Sequence, residues 1–199
     1  MNNKSFMETL KNRRSIYTLS KETTIPNEKI EEIIKDAVKH IPSAFNNQSA
    51  RVVILYDENH KKLWDIAMST LRKMVPSEKF EATENKIKSF ADSYGTVLFF
   101  DSTDTTKELM QKFPLYKDNF PVWAEQANGM LQFAIWSLLE EQGLGANLQH
   151  YNPLIDAEVK STFKIPDSWK LIAQMPFGKP TALAGKKEFL PIEERVIVL

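Results

Sequence analysis

The chain has 199 residues, of which 42% are hydrophobic and 26% are charged. This length and composition suffice for one sizeable core, so we expect a single domain over residues 1–199. Lysine plus arginine and aspartate plus glutamate number 26 each, which makes the formal net charge zero and argues against a nucleic-acid partner held by bulk positive charge. The absence of cysteine excludes disulfides, thiolate metal sites and cysteine nucleophiles.

The first ten residues mix charged and polar side chains where a secretory signal would need an apolar stretch. No run approaches the roughly 18 apolar residues of a membrane span. The lack of cysteine also fits a reducing compartment. We therefore expect a soluble, cytoplasmic protein without a membrane partner.

Hydrophobic periodicity predicts the elements of the first half of the chain. Apolar residues at three- and four-residue spacing indicate helices over residues 5–14, 27–41, 58–74 and 77–93. Two compact runs rich in β-branched and aromatic residues predict strands at 51–56 (RVVILY) and 96–100 (TVLFF).

The second half begins with a segment, 121–142, that is apolar around most of its helical circumference. Such a helix must be buried on most sides, so we expect a central helix that packs at a homodimer interface. A helix at 153–163 and a strand at 170–175 follow. The tail 192–199 is strand-like and needs a sheet edge to pair with, and a neighbouring subunit is one place to find that edge.

Several kinds of chemistry can be excluded. Gly143 and Gly145 close a helix and are followed by Leu148 where a dinucleotide fingerprint needs glycine or alanine. No glycine-lysine pair is followed by the serine or threonine of a Walker loop. The three histidines show no metal-ligand spacing, and there is no Gly-x-Ser-x-Gly elbow. We therefore expect no metal and no catalytic nucleophile.

Three separated segments carry the most informative motifs. Arg13-Arg14-Ser15 ends the first helix, and Pro42-Ser43-Ala44-Phe45-Asn46-Asn47-Gln48 precedes the first long strand. The third segment is Phe177-Gly178-Lys179-Pro180, followed by the run KEFLPIEE at 187–194. In this order and placement, the segments resemble the nitroreductase family of FMN enzymes. The chain is most similar to the short branch of that family named after a fungal fatty-acid-repression mutant.

The resemblance implies an α+β nitroreductase-like fold, with a central mixed or antiparallel sheet flanked by helices. It also implies a homodimer with the long helix at its interface and a C-terminal arm that reaches the partner. The cofactor would be FMN and the electron donor NAD(P)H. The substrates would be nitroaromatics, quinones or similar small oxidants, reduced in a ping-pong two-electron mechanism. Two alternatives stay open: a general flavin reductase, and a flavin-binding regulatory or stress-response protein with little turnover.

The same resemblance nominates a set of cofactor-binding residues. A flavin phosphate needs cations and hydroxyl groups, and the polar edge of the flavin ring needs both donors and acceptors, such as side-chain amides. The family brings a main-chain N–H close to flavin N5, so His150 is a candidate for its backbone and not for its imidazole. No side chain is expected to be catalytic, because the chemistry takes place at N5. The candidates are Arg13, Ser15 and Lys187 for the phosphate; Ser43, Asn46 and Gln48; Arg14 or Tyr17 at the N1 edge; and Gln149, His150 and Tyr151.

The chain departs from the family pattern at three places that bear on the site. Tyr17 stands where many members have a second basic residue, and Ser49 replaces the usual proline after Gln48. Phe189 stands where an arginine often helps to hold the phosphate. Each motif taken alone also fits an ordinary role, because paired arginines often end helices and Asn-Asn-Gln often forms a polar turn.

Overall fold

A computed structural model describes residues 4–199, in which the chain forms seven α-helices and five β-strands. The helices are α1 (Phe6–Asn12), α2 (Asn27–His40), α3 (Asp57–Arg72), α4 (Phe80–Ala91), α5 (Thr103–Lys112), α6 (Phe120–Glu141) and α7 (Asp156–Phe163). The strands are β1 (Leu19–Ser20), β2 (Ala50–Tyr56), β3 (Gly95–Ser102), β4 (Gly145–Ala146) and β5 (Trp169–Pro180).

The strands form one sheet in the order β1-β5-β3-β2, and β4 pairs with β5 beside this path. The pairs between these strands are all antiparallel. Strand β3 lies in the middle and every one of its residues is buried, whereas β2 is an edge strand. Strand β5 carries a bulge at Ile172, because Phe99 pairs with Ala173 while Phe100 pairs with Leu171.

The two faces of the sheet bury separate sets of helices. Side chains alternate along a strand, so Val97 and Phe99 of β3 point to one face and Leu98 and Phe100 to the other. The first face packs against α2 and α6, and the second against α3, α4 and α7. This arrangement confirms the α+β prediction of an antiparallel sheet flanked by helices.

The long helix expected from the sequence is confirmed as α6, with nine of its 22 residues buried. Helix α5 was not predicted, because it begins with Thr103, Asp104 and Thr105 and its single buried residue among those described is Thr106. The strand-like tail forms a 3-10 turn at Ile192–Glu194, and residues 195–199 have no regular structure. Its pairing with a partner subunit stays a prediction.

Candidate functional site

The Arg-Arg-Ser motif is brought to the sheet by the end of α1. The N–H of Arg13 closes the helix on the Thr9 carbonyl at 2.9 Å, and the chain then runs beside β4. Ser15 forms a parallel bridge with Ala146, whose carbonyl accepts the Ile16 N–H at 3.0 Å. The segment 13–17 therefore lies directly against the strand that leads to residues 149–151.

Glycine is needed at position 145 for this close approach. A Cβ built on Gly145 would lie 2.9 Å from Leu19 Cδ2 and 3.0 Å from Ile16 Cβ. Any larger residue would push the Arg-Arg-Ser segment away from β4.

A chain of side-chain amides fixes the segment after β4. Asn147 Nδ2 donates to the Ile16 carbonyl at 2.8 Å, and Gln149 Nε2 donates to Asn147 Oδ1, also at 2.8 Å. The Gln149 side chain is thus buried and used within the protein, so it is not a free amide for a ligand. The next residue, His150, is exposed. Tyr151 is half-buried, and this burial raises its pKa to about 12.

Arg13 has the electrostatics of an anion-binding residue. Its guanidinium carbon lies 4.4 Å from the centroid of the Trp136 ring, and its Nε is buried without a hydrogen-bond partner. Burial and the neighbouring Arg14 both lower the pKa of Arg13. Within residues 4–199, no carboxylate forms an ion pair with either arginine. A phosphate would satisfy both the orphan donor and the uncompensated charge.

The loop 42–48 has an unusual backbone. Phe45, Asn46 and Gln48 have φ angles of 55°, 50° and 51°, which is the left-handed region. Asparagine tolerates this region, but a bulky residue in it costs on the order of 1–3 kcal/mol. The Gln48 N–H donates to Ser43 Oγ at 3.0 Å and helps to hold the turn. Ser43 therefore already has a structural role.

Asn47 belongs to the same loop and was not among the predicted site residues. Its Oδ1 accepts the Ser49 N–H at 3.1 Å, while its Nδ2 is buried without a partner. A proline at position 49 would have no N–H to donate, so the departure at Ser49 completes this turn. The motif named Asn46, and only the fold shows that the Nδ2 atom of Asn47 is buried while Asn46 is exposed.

Phe45 sits at the centre of an aromatic cluster. Its ring centroid lies 4.8 Å from that of Phe113, and its ring stacks on Trp123 at 6.3 Å with an interplanar angle of 25°. The side chain is nevertheless 54% exposed. It forms one wall of a groove of about 280 Å³. The other lining residues are Ala44, Trp123, Gln126, Ala127 and Met130.

A cavity of about 540 Å³ lies next to the edge strand β2. Ser43 and Gln48 line it, together with mostly apolar residues of α2, β2 and α6. Its cationic residues are Lys35, Lys39 and Arg51.

The candidate residues fall into two groups on different sides of α6. Arg13 contacts Trp136 and Phe45 contacts Trp123, so the groups are anchored 13 residues apart on that helix. That spacing corresponds to about 20 Å along the helix axis and about 140° around it. One group follows the β4 edge of β5 and contains Arg13, Arg14, Ser15, Tyr17, Gln149, His150 and Tyr151; the other contains Ser43, Asn46 and Gln48. Lys187 joins neither group, since it is exposed and its Nζ lies 5.1 Å from the Phe189 ring.

Among the residues that the structure describes, no group of three histidine, aspartate or glutamate side chains could hold a metal ion. None of the described helices has the length and apolar character needed to cross a membrane.

Comparison with known proteins identifies the family. The model of the Nitroreductase family matches residues 10–179. The putative nitroreductase HBN1 and the nitroreductase FRM2, both from Saccharomyces cerevisiae, are 36% and 32% identical to the chain, and each alignment covers 94% of the chain and 93% of the relative. The nitroreductase CinD from Lactococcus lactis, solved with nicotinic acid, is 45% identical, covers 98% of this chain and 100% of CinD, and superposes with a TM-score of 0.91. CinD has also been solved with chloramphenicol and with 4-nitrophenol. The chain belongs to the nitroreductase family and is an oxidoreductase with the nitroreductase fold.

Proposed function

We propose that this nitroreductase binds FMN and uses NAD(P)H to reduce nitroaromatics, quinones or similar acceptors in a ping-pong cycle. The observation that carries the proposal is Arg13, whose Nε is buried and unbonded and whose charge is uncompensated, on the segment that runs beside β4. When bound, the flavin would supply the redox chemistry, the transfer of two electrons from NAD(P)H to the acceptor. The other functions of the site are carried out by residues of the protein.

The first of these tasks is to hold the cofactor. Arg13 and Ser15 would bind the phosphate through charge-assisted hydrogen bonds, with Lys187 added from the tail of either copy. Arg14 or Tyr17 would face the N1 edge of the ring. The His150 N–H has no hydrogen-bond partner among the described residues, which leaves it free to donate to N5.

The second group of candidate residues requires another copy of the chain. Because α6 separates Ser43, Asn46 and Gln48 from Arg13, one chain does not gather the whole set. We therefore propose a homodimer in which the 43–48 loop of one copy completes the site of the other. Asn46 and Gln48 are both exposed, as residues that meet a second copy or its cofactor would have to be.

The tail supports the same assembly. Val196, Ile197 and Val198 are 56%, 81% and 91% exposed in the single chain, although they are strongly apolar. The edge strand β2 offers unpaired main-chain groups, and the cavity beside it carries three cations that suit the acidic Glu193 and Glu194. We place the tail of one copy on β2 of the other.

The groove beside Phe45 favours flat aromatic acceptors. Its walls are aromatic and apolar, and Gln126 is its one polar side chain among the described lining residues. Aromatic rings pair well with such walls, in offset-stacked or edge-to-face geometry. The CinD complexes contain 4-nitrophenol and chloramphenicol, which both carry a nitroaromatic ring. We propose the same class of acceptor for this chain.

A visible absorption spectrum followed by anaerobic reduction tests the function. Purified protein should be yellow, should be bleached by NADH or NADPH, and should regain its colour on addition of 4-nitrophenol or a quinone. Colourless protein that does not take up added FMN would contradict the proposal. A bleached protein that stays reduced with every acceptor would indicate the regulatory alternative, and reoxidation by free flavin alone would indicate a flavin reductase.

A further inference from the structure

Gln174 is a polar residue on an apolar, buried face of the sheet. It lies in β5 opposite Leu98, so the two side chains share the face of the sheet that packs against α3, α4 and α7. Both residues are fully buried, with 0% exposure. Burying an amide on such a face is unfavourable unless its polar atoms are bonded, and a leucine or methionine would pack there without that requirement.

The bonds of Gln174 all lead to one short segment. Its main chain exchanges two hydrogen bonds with Gln149, at 2.7 and 2.9 Å. Its side-chain Oε1 accepts the Tyr151 N–H at 2.8 Å, and its Nε2 lies 3.4 Å from Asn152 Oδ1. The side chain and the main chain of one residue thus hold both neighbours of His150.

The bulge in β5 explains why a side chain is needed. In a regular antiparallel ladder, the pair after Gln149 and Gln174 would be Tyr151 and Ile172. Ile172 is the extra residue of the bulge, and the Tyr151 N–H bonds to Gln174 Oε1 instead of to the main chain of Ile172. Gln174 replaces the acceptor that the ladder lacks at this point.

These bonds determine the direction of the His150 N–H. In a trans peptide the C=O and the following N–H point in opposite directions. The Gln149 carbonyl points to β5, where it accepts the Gln174 N–H, so the His150 N–H points away from β5. It is also left without a partner among the described residues, between two neighbours that are both bonded.

We propose that Gln174 is a positioning residue, which holds segment 149–151 so that the His150 N–H is the donor to the reacting N5 atom of the flavin. The inference rests on the FMN-dependent function proposed above. A donor fixed at N5 would draw electron density away from this atom and so make it a better hydride acceptor. Because the donor is a main-chain N–H, its direction is controlled by Gln174, a residue that would contact neither flavin nor substrate.

Amide hydrogen exchange of the wild-type protein, measured by NMR after removal of FMN and again after its return, gives the first test. The Tyr151 amide should be protected in both states. The His150 amide should exchange freely without FMN and be slowed at least about tenfold with it. A His150 amide already protected without FMN, or one not slowed in protein whose colour shows bound flavin, would overturn the proposal.

A variant provides the second test. Gln174→Met removes the acceptor but keeps an apolar side chain of similar volume, and Gln132→Met makes the same change in another buried amide, on α6. In Gln174→Met the Tyr151 amide should exchange faster than in wild type. The affinity of flavin N5 for sulfite should fall by about threefold to tenfold, the effect of one neutral hydrogen bond. Gln132→Met should change neither, even if both variants melt at lower temperature.

The outcomes separate this inference from the proposed function. Two results for Gln174→Met would overturn the role of Gln174 while leaving FMN binding intact. One is a Tyr151 amide that exchanges as in wild type, and the other is a faster Tyr151 amide with wild-type sulfite affinity. Wild-type protein that never binds FMN would instead overturn the proposed function, and the inference with it. If Gln174→Met does not fold, the wild-type experiment still tests the Tyr151 bond to Gln174, through protection of the Tyr151 amide, and the His150 donor.

Discussion

The guanidinium of Arg13 stacks on the indole of Trp136, with 4.4 Å between its central carbon and the ring centroid. This contact fixes the plane of a charged group whose Nε is buried and unbonded. A stacked arginine loses little freedom when it binds an anion, because its donors are already oriented. This fixed orientation is the one that the proposed phosphate site requires of Arg13.

Replacing Arg13 by alanine should weaken FMN binding by about 1.5–3 kcal/mol, roughly ten- to a hundredfold, because a charge-assisted contact is lost. Fluorescence titration of FMN into flavin-free protein measures the affinity. Arg72→Ala is a matched control, since Arg72 also stacks on an aromatic ring, that of Phe80 at 4.5 Å. Wild-type affinity in Arg13→Ala would remove this residue from the site.

Tyr17 should set the redox potential of the bound flavin. It is half exposed, and as a neutral phenol it can donate a hydrogen bond to the N1 edge but supplies no full positive charge. Tyr17→Lys should therefore raise the midpoint potential, by about 30 mV for each 1.4 kcal/mol of added stabilisation of the reduced form. A redox titration of wild type, Tyr17→Lys and Tyr17→Phe makes the comparison. An unchanged or lower potential in the lysine variant would mean that Tyr17 does not face this edge or that Arg14 already provides the charge.

Deletion of the residues from Arg195 onward should loosen the dimer and release flavin in parallel, because the tail is proposed to cover β2 of the other copy. Sedimentation velocity and the flavin absorbance of the sedimenting species report the two effects together. Leu183→Ser serves as a control, since Leu183 is 94% exposed and lies before the acidic run of the tail. A wild-type protein that sediments as a stable monomer at micromolar concentration would rule out this assembly.

A buried histidine makes the stability of the protein depend on pH. His60 Nε2 lies 3.2 Å from the Ala91 carbonyl, which can only accept, so this nitrogen carries the proton. Nδ1 then accepts from the Thr96 hydroxyl at 2.9 Å, and that hydroxyl accepts from Trp64 Nε1 at 3.1 Å. Burial lowers the pKa of His60 below its ordinary 6.5.

The sign of the pH effect follows from this lowered pKa. Below about pH 6.5 the unfolded chain binds a proton at His60 that the folded chain rejects, so the free energy of unfolding should fall as the pH drops from 6.5 toward the lower folded-state pKa. Urea unfolding between pH 7.5 and pH 5 measures the slope. His60→Gln should flatten it, whereas a change at the exposed His40 should leave it in place. An equal slope in wild type and His60→Gln would contradict the role of His60.

The sequence was informative where periodicity and packing agree. Helices α2 and α6 were predicted because their apolar residues recur at helical spacing, and the structure buries Ile30, Ile33 and Ile34 of α2 and Ala127 and Leu131 of α6. Helix α5 was missed because its first turn is polar and β-branched, and tertiary packing alone decides its conformation. The two-residue strands β1 and β4 are too short to produce any periodic signal.

The candidate site, like the fold, could be predicted from the sequence only in part. The motifs named Arg13 and Ser43, but the sequence does not reveal that α6 keeps them apart, because that depends on how the helix packs. Gln174 did leave a signal, as a lone amide within the apolar run 171–177. That signal is only meaningful once the bulge at Ile172 is known.

The central claim, that FMN binds in a site shared between two copies, is tested most directly by the flavin content of mixed dimers. One chain would carry Arg13→Ala and the other Asn46→Gly, since glycine keeps the left-handed backbone at position 46 while removing the amide. With differently tagged chains purified together, a mixed dimer has one site with both changes and one site with neither. The shared-site account predicts that mixed dimers retain half of the wild-type flavin while each variant homodimer retains far less, and mixed dimers no better than the two homodimers would contradict it.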